Sequence, residues 1–547
     1  MPWHLVDLIV IVPSHFFTIT PTHKMFNSSS LLQSTGGKWL RLVGGLLAVT
    51  FFLILRRLVQ DYQYEKKYKF PPIVPGLPLV GNSFQLPNRP GLQGPYLAGL
   101  AERYGEMFTI KVGGTYWVVL NSRRTVLELL EKRSIKYSSR MQFPMANDLV
   151  SRGNRLLLMP YGDLWRRERK MMHQILNSSQ LKNFEYFQDA GSKLLMVDYS
   201  REAEKWHVAN SRFANSIIMS FLFGKPSELN DPRTAELLKT SEDFVKYLAP
   251  GTTLVDAFPF LTKINFLKAW QPWRWKADSL YKECIRAQLN ELEQRRREGT
   301  DKPCFASELL DSGAKAEFTR DQLLYILGTL MEAGSDTTRM TMNQVIAGAA
   351  LFPDWVERAR KELDAVCGPS AERLPDFGDL DSLPLIKAAV KESLRWKPSI
   401  AETGIPHATT EDDEFEGYHI PAGTVVTYNN WGIANDPVEY DQPERFWPER
   451  FLDEDIDKFL KGHLGFGAGR RACVAYNVAA KSLLIALSRL VYCFDCIQID
   501  EEPIDTSAPL VGTTGVAPFK ARLQIRSRAH QDLIQKVYSS VVTSGYK

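Results

Sequence analysis

The chain has 547 residues, with 67 basic against 63 acidic side chains and a formal net charge of +4. That near balance gives no global basis for binding nucleic acid, and 44% hydrophobic with 24% charged residues is ordinary for a globular protein. Six cysteines (Cys284, Cys304, Cys367, Cys473, Cys493, Cys496) are scattered too thinly for a disulfide framework and indicate reduced thiols in a cytosol-facing fold.

No Gly/Ser linker or repeat divides the chain, so its length reads as one large domain with an N-terminal appendage. Trp39 to Leu55 is mostly apolar. Arg41 interrupts it near its start and Arg56-Arg57 stop it. The stretch is slightly short for a span, but Arg41 and Arg57 can snorkel. It reads as a transmembrane anchor over 39–57, with a lumenal tail over 1–38; the competing reading is a buried core helix. Lys66, Lys67 and Lys69 add positive charge after it, which puts the bulk of the chain on the cytosolic side. Leu5 to Ile19 is a second apolar stretch, broken by Asp7, Pro13 and His15. It reads either as a second membrane contact or as residues ahead of an alternative start at Met25. Asn27-Ser28-Ser29 is a sequon that would be lumenal; Asn177-Ser178-Ser179 would be cytosolic and unused.

Residues 58–80 read as a basic, proline-rich linker, stiffened by Pro71, Pro72, Pro75 and Pro78. Residues 81–547 then form the main domain. Asp163 to Lys170 opens a helix on which Trp165 and Arg169 share one face; alone, it reads as a solvated basic helix. Thr319-Arg320-Asp321-Gln322 is a capping box that opens a long helix. In its middle lies Ala333-Gly334-Ser335-Asp336-Thr337-Thr338. Gly lowers helix propensity there, and Thr hydroxyls can bond back to the i−4 carbonyl. The segment reads either as a polar notch or as a groove for oxygen. A shorter helix from Leu385 to Trp396 carries Glu392 and Arg395 at i, i+3. His407 follows Gly404-Ile405-Pro406, and Tyr418 to Val426 reads as a hairpin with a Pro-Ala-Gly turn.

Phe446 to Phe451 leads to the most informative segment, Phe466-Gly467-Ala468-Gly469-Arg470-Arg471-Ala472-Cys473. A cysteine thiolate can be the axial ligand of a haem iron and favour O–O cleavage. Glycines let the chain turn under a porphyrin, Arg471 can reach a propionate, and the Phe466 ring can shield the sulfur. Gly467-x-Gly469-x-x-Ala472 also mimics a dinucleotide fingerprint. That motif needs an apolar strand before it, and Asp457 to Leu464 is too charged for one. Cys493-x-x-Cys496 lacks a second pair for zinc and reads as part of an apolar strand.

Phe466, Gly469, Arg471 and Cys473 resemble the haem-binding signature of the cytochrome P450 family, with Ala475 where the family usually has Gly. Over roughly residues 70–530 the other motifs follow in order. By resemblance Trp165, Arg169 and His407 bond haem propionates, Thr337 hydrogen-bonds oxygen, and Asp336 helps relay protons. Glu392, Arg395 and Arg450 of Pro448-Glu449-Arg450-Phe451 form a buried network needed for haem incorporation, structural rather than catalytic. The resemblance implies a mainly α fold with a small β region (α+β), haem b (iron protoporphyrin IX) as cofactor, and insertion of one oxygen atom from O2 into an apolar small molecule. It implies electrons from NADPH through a separate cytochrome P450 reductase, met by a basic face that includes Arg166, Arg167 and Lys170. It also implies single-pass attachment to the endoplasmic reticulum membrane. The run from His407 to Pro421 is similar to microsomal enzymes of filamentous fungi, hence secondary metabolism. The alternatives are a haem-thiolate isomerase or dehydratase that does not need O2, and a non-catalytic haem-binding membrane protein.

Overall fold

The computed structural model describes residues 29–87, 91–176, 181–226, 244, 272–398, 404–507, 509–510 and 516–543. The two sequons and the Leu5–Ile19 stretch lie outside them, except for Ser29. The chain forms two compact units, Met1–Gln63 and Tyr64–Lys547. Helix α1 (Ser29–Lys67) begins before the apolar stretch and continues past Arg56-Arg57. Charge ends an apolar span but does not break a helix, and no Gly or Pro interrupts Leu58 to Lys67. Among the described residues, Val43–Lys67 is the one segment long and apolar enough to cross a membrane. Leu47, Phe51, Phe52 and Leu53 are exposed along it.

The proline-rich stretch is extended, but it is not a free linker. The N–H of Val74 donates to the Thr109 carbonyl at 2.8 Å, and the N–H of Thr109 donates to Pro72 at 2.8 Å. The chain therefore adds to the edge of β1 (Met107–Val112), and the second unit begins at Tyr64 rather than after residue 80.

Helices α2 (Gln93–Tyr104), α3 (Asp163–Ile175), α4 (Glu185–Arg201), α5 (Trp206–Phe223) and α6 (Pro272–Glu298) precede the long α7 (Arg320–Leu351). The capping box forms as expected: Gln322 N–H donates to Thr319 Oγ1 at 3.3 Å, and Thr319 N–H to Gln322 Oε1 at 2.8 Å. α8 (Pro353–Cys367), α9 (Pro384–Arg395), α10 (Tyr476–Cys493) and α11 (Arg528–Thr543) follow. The largest apolar cluster joins α4, α5, the second half of α7, α8, α9 and α10. A second joins α3, α5, α6 and the first half of α7. α7 thus runs through both cores.

The main sheet has the order β1-β2-β7-β4-β3, and two two-stranded sheets accompany it. β2 (Thr115–Leu120) is buried along nearly its whole length and pairs parallel with β7 (Val425–Tyr428), as expected of a strand covered on both faces. β3 (Ser139–Arg140) pairs with β4 (His407–Ala408), which sets Arg140 opposite His407. The expected hairpin is not there. β6 (Tyr418–Ile420) pairs back onto β5 (Asp413–Phe415), while β7 joins the main sheet. The Pro421–Gly423 turn passes the chain between sheets. Cys496 lies in β8 (Phe494–Gln498), which pairs with β9 (Ala521–Ile525); Cys493 is instead the last residue of α10.

Candidate active site

The Phe466–Cys473 loop is a tight reversal ahead of α10. Its turn closes by Gly467 N–H to the Leu464 carbonyl at 2.9 Å and Cys473 N–H to the Phe466 carbonyl at 2.8 Å. Gly469 adopts φ +61°, and a Cβ there would overlap the Leu130 carbonyl, so the position excludes a side chain. No strand precedes the loop among residues 452–465, which removes the dinucleotide reading. Ala475 has φ −100°. That backbone is open to any residue, so this loop does not need Gly there. Burial pushes the Cys473 thiol up; the Ala475 N–H and the Arg169 guanidinium pull it back. The Phe466 ring lies 6.2 Å from Tyr476 and 5.9 Å from His463.

Beside the loop, three guanidiniums converge. Arg471 donates to the carbonyls of Ser138 at 2.8 Å and Met159 at 2.7 Å, and its guanidinium lies 4.2 Å from the Trp165 ring. Arg169 bonds the Ala472 carbonyl and lies 5.4 Å from the same ring. Arg140 donates to the Leu157 carbonyl at 3.1 Å and bonds that of Ile405. Burial, then Arg140 and Arg169, bring Arg471 down to about 8; burial brings Arg140 down to about 10, with Arg169 adding to the shift. No carboxylate pairs with any of the three among the described residues. His407 is buried opposite Arg140, its Nδ1 2.7 Å from the Tyr137 carbonyl. Burial, then Arg140 and Arg471, push its pKa well below the usual imidazole range, and the Tyr137 carbonyl works against them. Arg140 had no signal in sequence, because only strand pairing brings it to His407.

On α7, Ala333 is exposed although the surrounding helix is core. Thr337 donates its hydroxyl proton to the Ala333 carbonyl at 2.7 Å, so toward any further partner its oxygen accepts. Asp336 accepts from Arg339 Nε at 3.0 Å and from its Nη2, so one carboxylate oxygen is tied down. Gly334 has a different role from a polar notch. A Cβ there would come within 2.7 Å of Ile218, so Gly334 is where α5 crosses α7.

Glu392 and Arg395 pair as their i, i+3 spacing suggested, and Arg450 meets them as the resemblance implied. Arg395 donates to both Glu392 oxygens, at 2.8 and 2.6 Å, and Arg450 Nε lies 3.3 Å from Glu392 Oε2. Arg395 also donates to the carbonyls of Ala434 and Pro443 at 2.7 Å and Arg445 at 3.2 Å. Arg166, Arg167 and Lys170 point outward from α3. Arg166 pairs with Asp163, and Arg167 lies 3.8 Å from Glu317.

A family model described as Cytochrome P450 matches residues 71–518. The chain belongs to the cytochrome P450 family. It is 33% identical over 464 residues to cytochrome P450 monooxygenase fogE of Aspergillus ruber, covering 82% of this chain and 84% of that protein. It is 33% identical over 486 residues to cytochrome P450 monooxygenase aneD of Aspergillus aculeatus, covering 86% and 91%. Cytochrome P450 monooxygenase verL of Clonostachys rogersoniana is 32% identical over 516 residues, covering 90% and 93%. This P450 is therefore a haem-thiolate monooxygenase with haem as its cofactor. Its own residues fit that group. Three crowded guanidiniums without a carboxylate match a ligand that carries two, and a thiol lies within reach of one of them.

Proposed function

We propose that Cys473 is the axial thiolate and that Arg140, Arg169, Arg471, Trp165 and His407 hold the haem propionates. The uncompensated guanidinium cluster carries this reading, since buried cations need counter-charge. Haem supplies activation of O2 beside its thiolate ligand. Arg169 and Arg471 would offer the haem carboxylates charge-assisted forks. His407 gives its Nδ1–H to the Tyr137 carbonyl, and its second ring nitrogen would be left to help hold a propionate. Phe466 covers the sulfur and keeps water from it. Gly469 lets the loop pass under Leu130.

Thr337 would accept a hydrogen bond at the oxygen site while its own hydroxyl proton is donated to the Ala333 carbonyl. Asp336 moves protons through the carboxylate oxygen that Arg339 leaves. Glu392, Arg395 and Arg450 set the fold around the site. The substrate is an apolar small molecule, and one oxygen atom from O2 enters it. Exposed α1 supports a single-pass anchor in the endoplasmic reticulum membrane, with a tail over 1–38, an anchor over 39–57 and the catalytic unit in the cytosol. Electrons come from NADPH through cytochrome P450 reductase docking on the face with Arg166, Arg167 and Lys170. The fungal relatives support a role in secondary metabolism.

The test is product profiling of the enzyme with a reductase against a fungal metabolite library. Oxygenated product that requires NADPH and O2 is expected. Product formed without either assigns the enzyme to the isomerase or dehydratase class.

A further inference from the structure

Unlike Arg140, Arg169 and Arg471, the buried Arg155 has a carboxylate partner among the described residues. Its side chain is 3% exposed and pairs with Glu332, which is 11% exposed. Its Nε donates to Ser151 Oγ at 3.1 Å, and its guanidinium stacks 3.5 Å from the Phe244 ring. Glu332 directly precedes Ala333 on α7 and lies one turn from Asp336. A second tie runs parallel to the first: Tyr325 of α7 donates its hydroxyl to the Val150 carbonyl at 3.2 Å. The other side of the same loop is held by the guanidinium cluster. Arg471 takes the carbonyls of Leu156 at 3.4 Å and Met159 at 2.7 Å, and Arg140 takes that of Leu157 at 3.1 Å. Residues 150–159 therefore form a strap. One edge is fixed to the propionate-binding arginines and the other to the helix that carries Thr337.

We infer that Arg155 and Glu332 are positioning residues that lock this strap onto α7 and set how tightly a ligand is held over the haem. The inference rests on the haem assignment above. Two properties favour this role over a direct chemical one. Glu332 Oε2 is taken by Arg155, so the pair closes on itself rather than extending the Asp336 relay. Both partners are too buried to meet a substrate without first separating. A buried ion pair also specifies geometry more than it adds stability. Here the geometry is the register of the strap between two fixed edges.

The test uses the full-length haem-loaded protein, with 4-phenylimidazole as an iron-ligating probe. Glu332→Gln keeps the shape and removes the charge. The expected result is amide exchange in residues 150–159 faster by about tenfold, equivalent to ~1.4 kcal/mol. Phenylimidazole dissociation should quicken by a similar factor, while exchange in α10 and the carbon-monoxide spectrum are unchanged. Arg155→Lys, which keeps a charge but loses the fork, should fall between wild type and Glu332→Gln. Exchange and dissociation within twofold of wild type in Glu332→Gln would overturn the inference. Exchange raised equally in α10 would also overturn it, because the pair would then contribute only to global stability. Should Glu332→Gln lose haem, the double variant Arg155→Met/Glu332→Met buries no charge and is read by exchange alone. Selective loosening of 150–159 supports the lock, and wild-type or uniform exchange refutes it. A wild-type protein without a thiolate-type carbon-monoxide band would refute the haem assignment instead, a separate readout.

Discussion

Replacing Glu392 with Gln should cost more than removing an ordinary ion pair. Glu392 is fully buried and accepts from Arg395 twice, from Arg450, and from the Trp447 N–H at 2.8 Å. An amide turns one acceptor into a donor facing guanidinium N–H groups and leaves two buried cations without a counter-charge. Breaking such a pair from one side costs ~3–5 kcal/mol. Unfolding entropy of ~2.1 cal/mol/K per residue, summed over Tyr64–Lys547, makes one degree of Tm worth about 1 kcal/mol. The Soret band of Glu392→Gln should therefore melt ~3–5 °C below wild type. The double variant Glu392→Leu/Arg395→Leu sharpens the test. Swapping a buried pair for apolar residues is often neutral. Here Arg395 also satisfies three carbonyls, and each one orphaned costs ~1–3 kcal/mol. The double variant should therefore be less stable than the single one. An unshifted melt for Glu392→Gln, or a double variant as stable as wild type, would refute this reasoning.

Thr337→Val should keep haem but turn more NADPH into peroxide and less into product, with a loss within the ~10²–10⁴-fold range of acid–base groups; Thr337→Ser should retain most coupling, and equal coupling in both would remove the hydroxyl from the mechanism. Arg140→Leu should weaken haem retention by ~10–100-fold, the worth of one charge-assisted bond, measured by haem transfer to an apo-acceptor protein; unchanged transfer would detach Arg140 from the propionates. Asp413 gives a pH signature. Burial raises its pKa, but Lys136 at 2.9 Å, Arg133 at 3.0 Å and the Tyr137 hydroxyl at 3.0 Å outweigh it and hold the carboxyl below its ordinary range. The depressed value means stability present above the unfolded pKa of ~3.9 and lost as pH falls through the folded one. Asp413→Asn should flatten the acid limb of the Tm profile relative to wild type, and parallel limbs would contradict the pairing.

The features legible from spacing alone were those whose partners are near in the chain. The Thr319 capping box, the Glu392–Arg395 pair and the Phe466–Cys473 loop each depend on spacings of a few residues, and each formed. Arg140 and Arg155 were not legible, because their partners Ile405 and Glu332 lie 265 and 177 residues away. The Pro-Ala-Gly turn marked where the chain reverses but not which strands pair, so β6 and β7 were joined in error. Gly334 was read for propensity, whereas its missing Cβ serves a helix crossing that only the packing reveals. The basic pair Arg56-Arg57 marked the end of an apolar span, and α1 continued because charge is compatible with helix.

The central claim is that Cys473 supplies the thiolate. The most direct measurement is the carbon-monoxide difference spectrum of the reduced enzyme beside that of Cys473→Ser, with Cys493→Ser and Cys496→Ser as controls. The account predicts a red-shifted thiolate-type band in wild type and both controls, and its loss in Cys473→Ser, since a neutral hydroxyl donates far less charge to iron. A thiolate-type band that persists in Cys473→Ser, or disappears in either control, would contradict it.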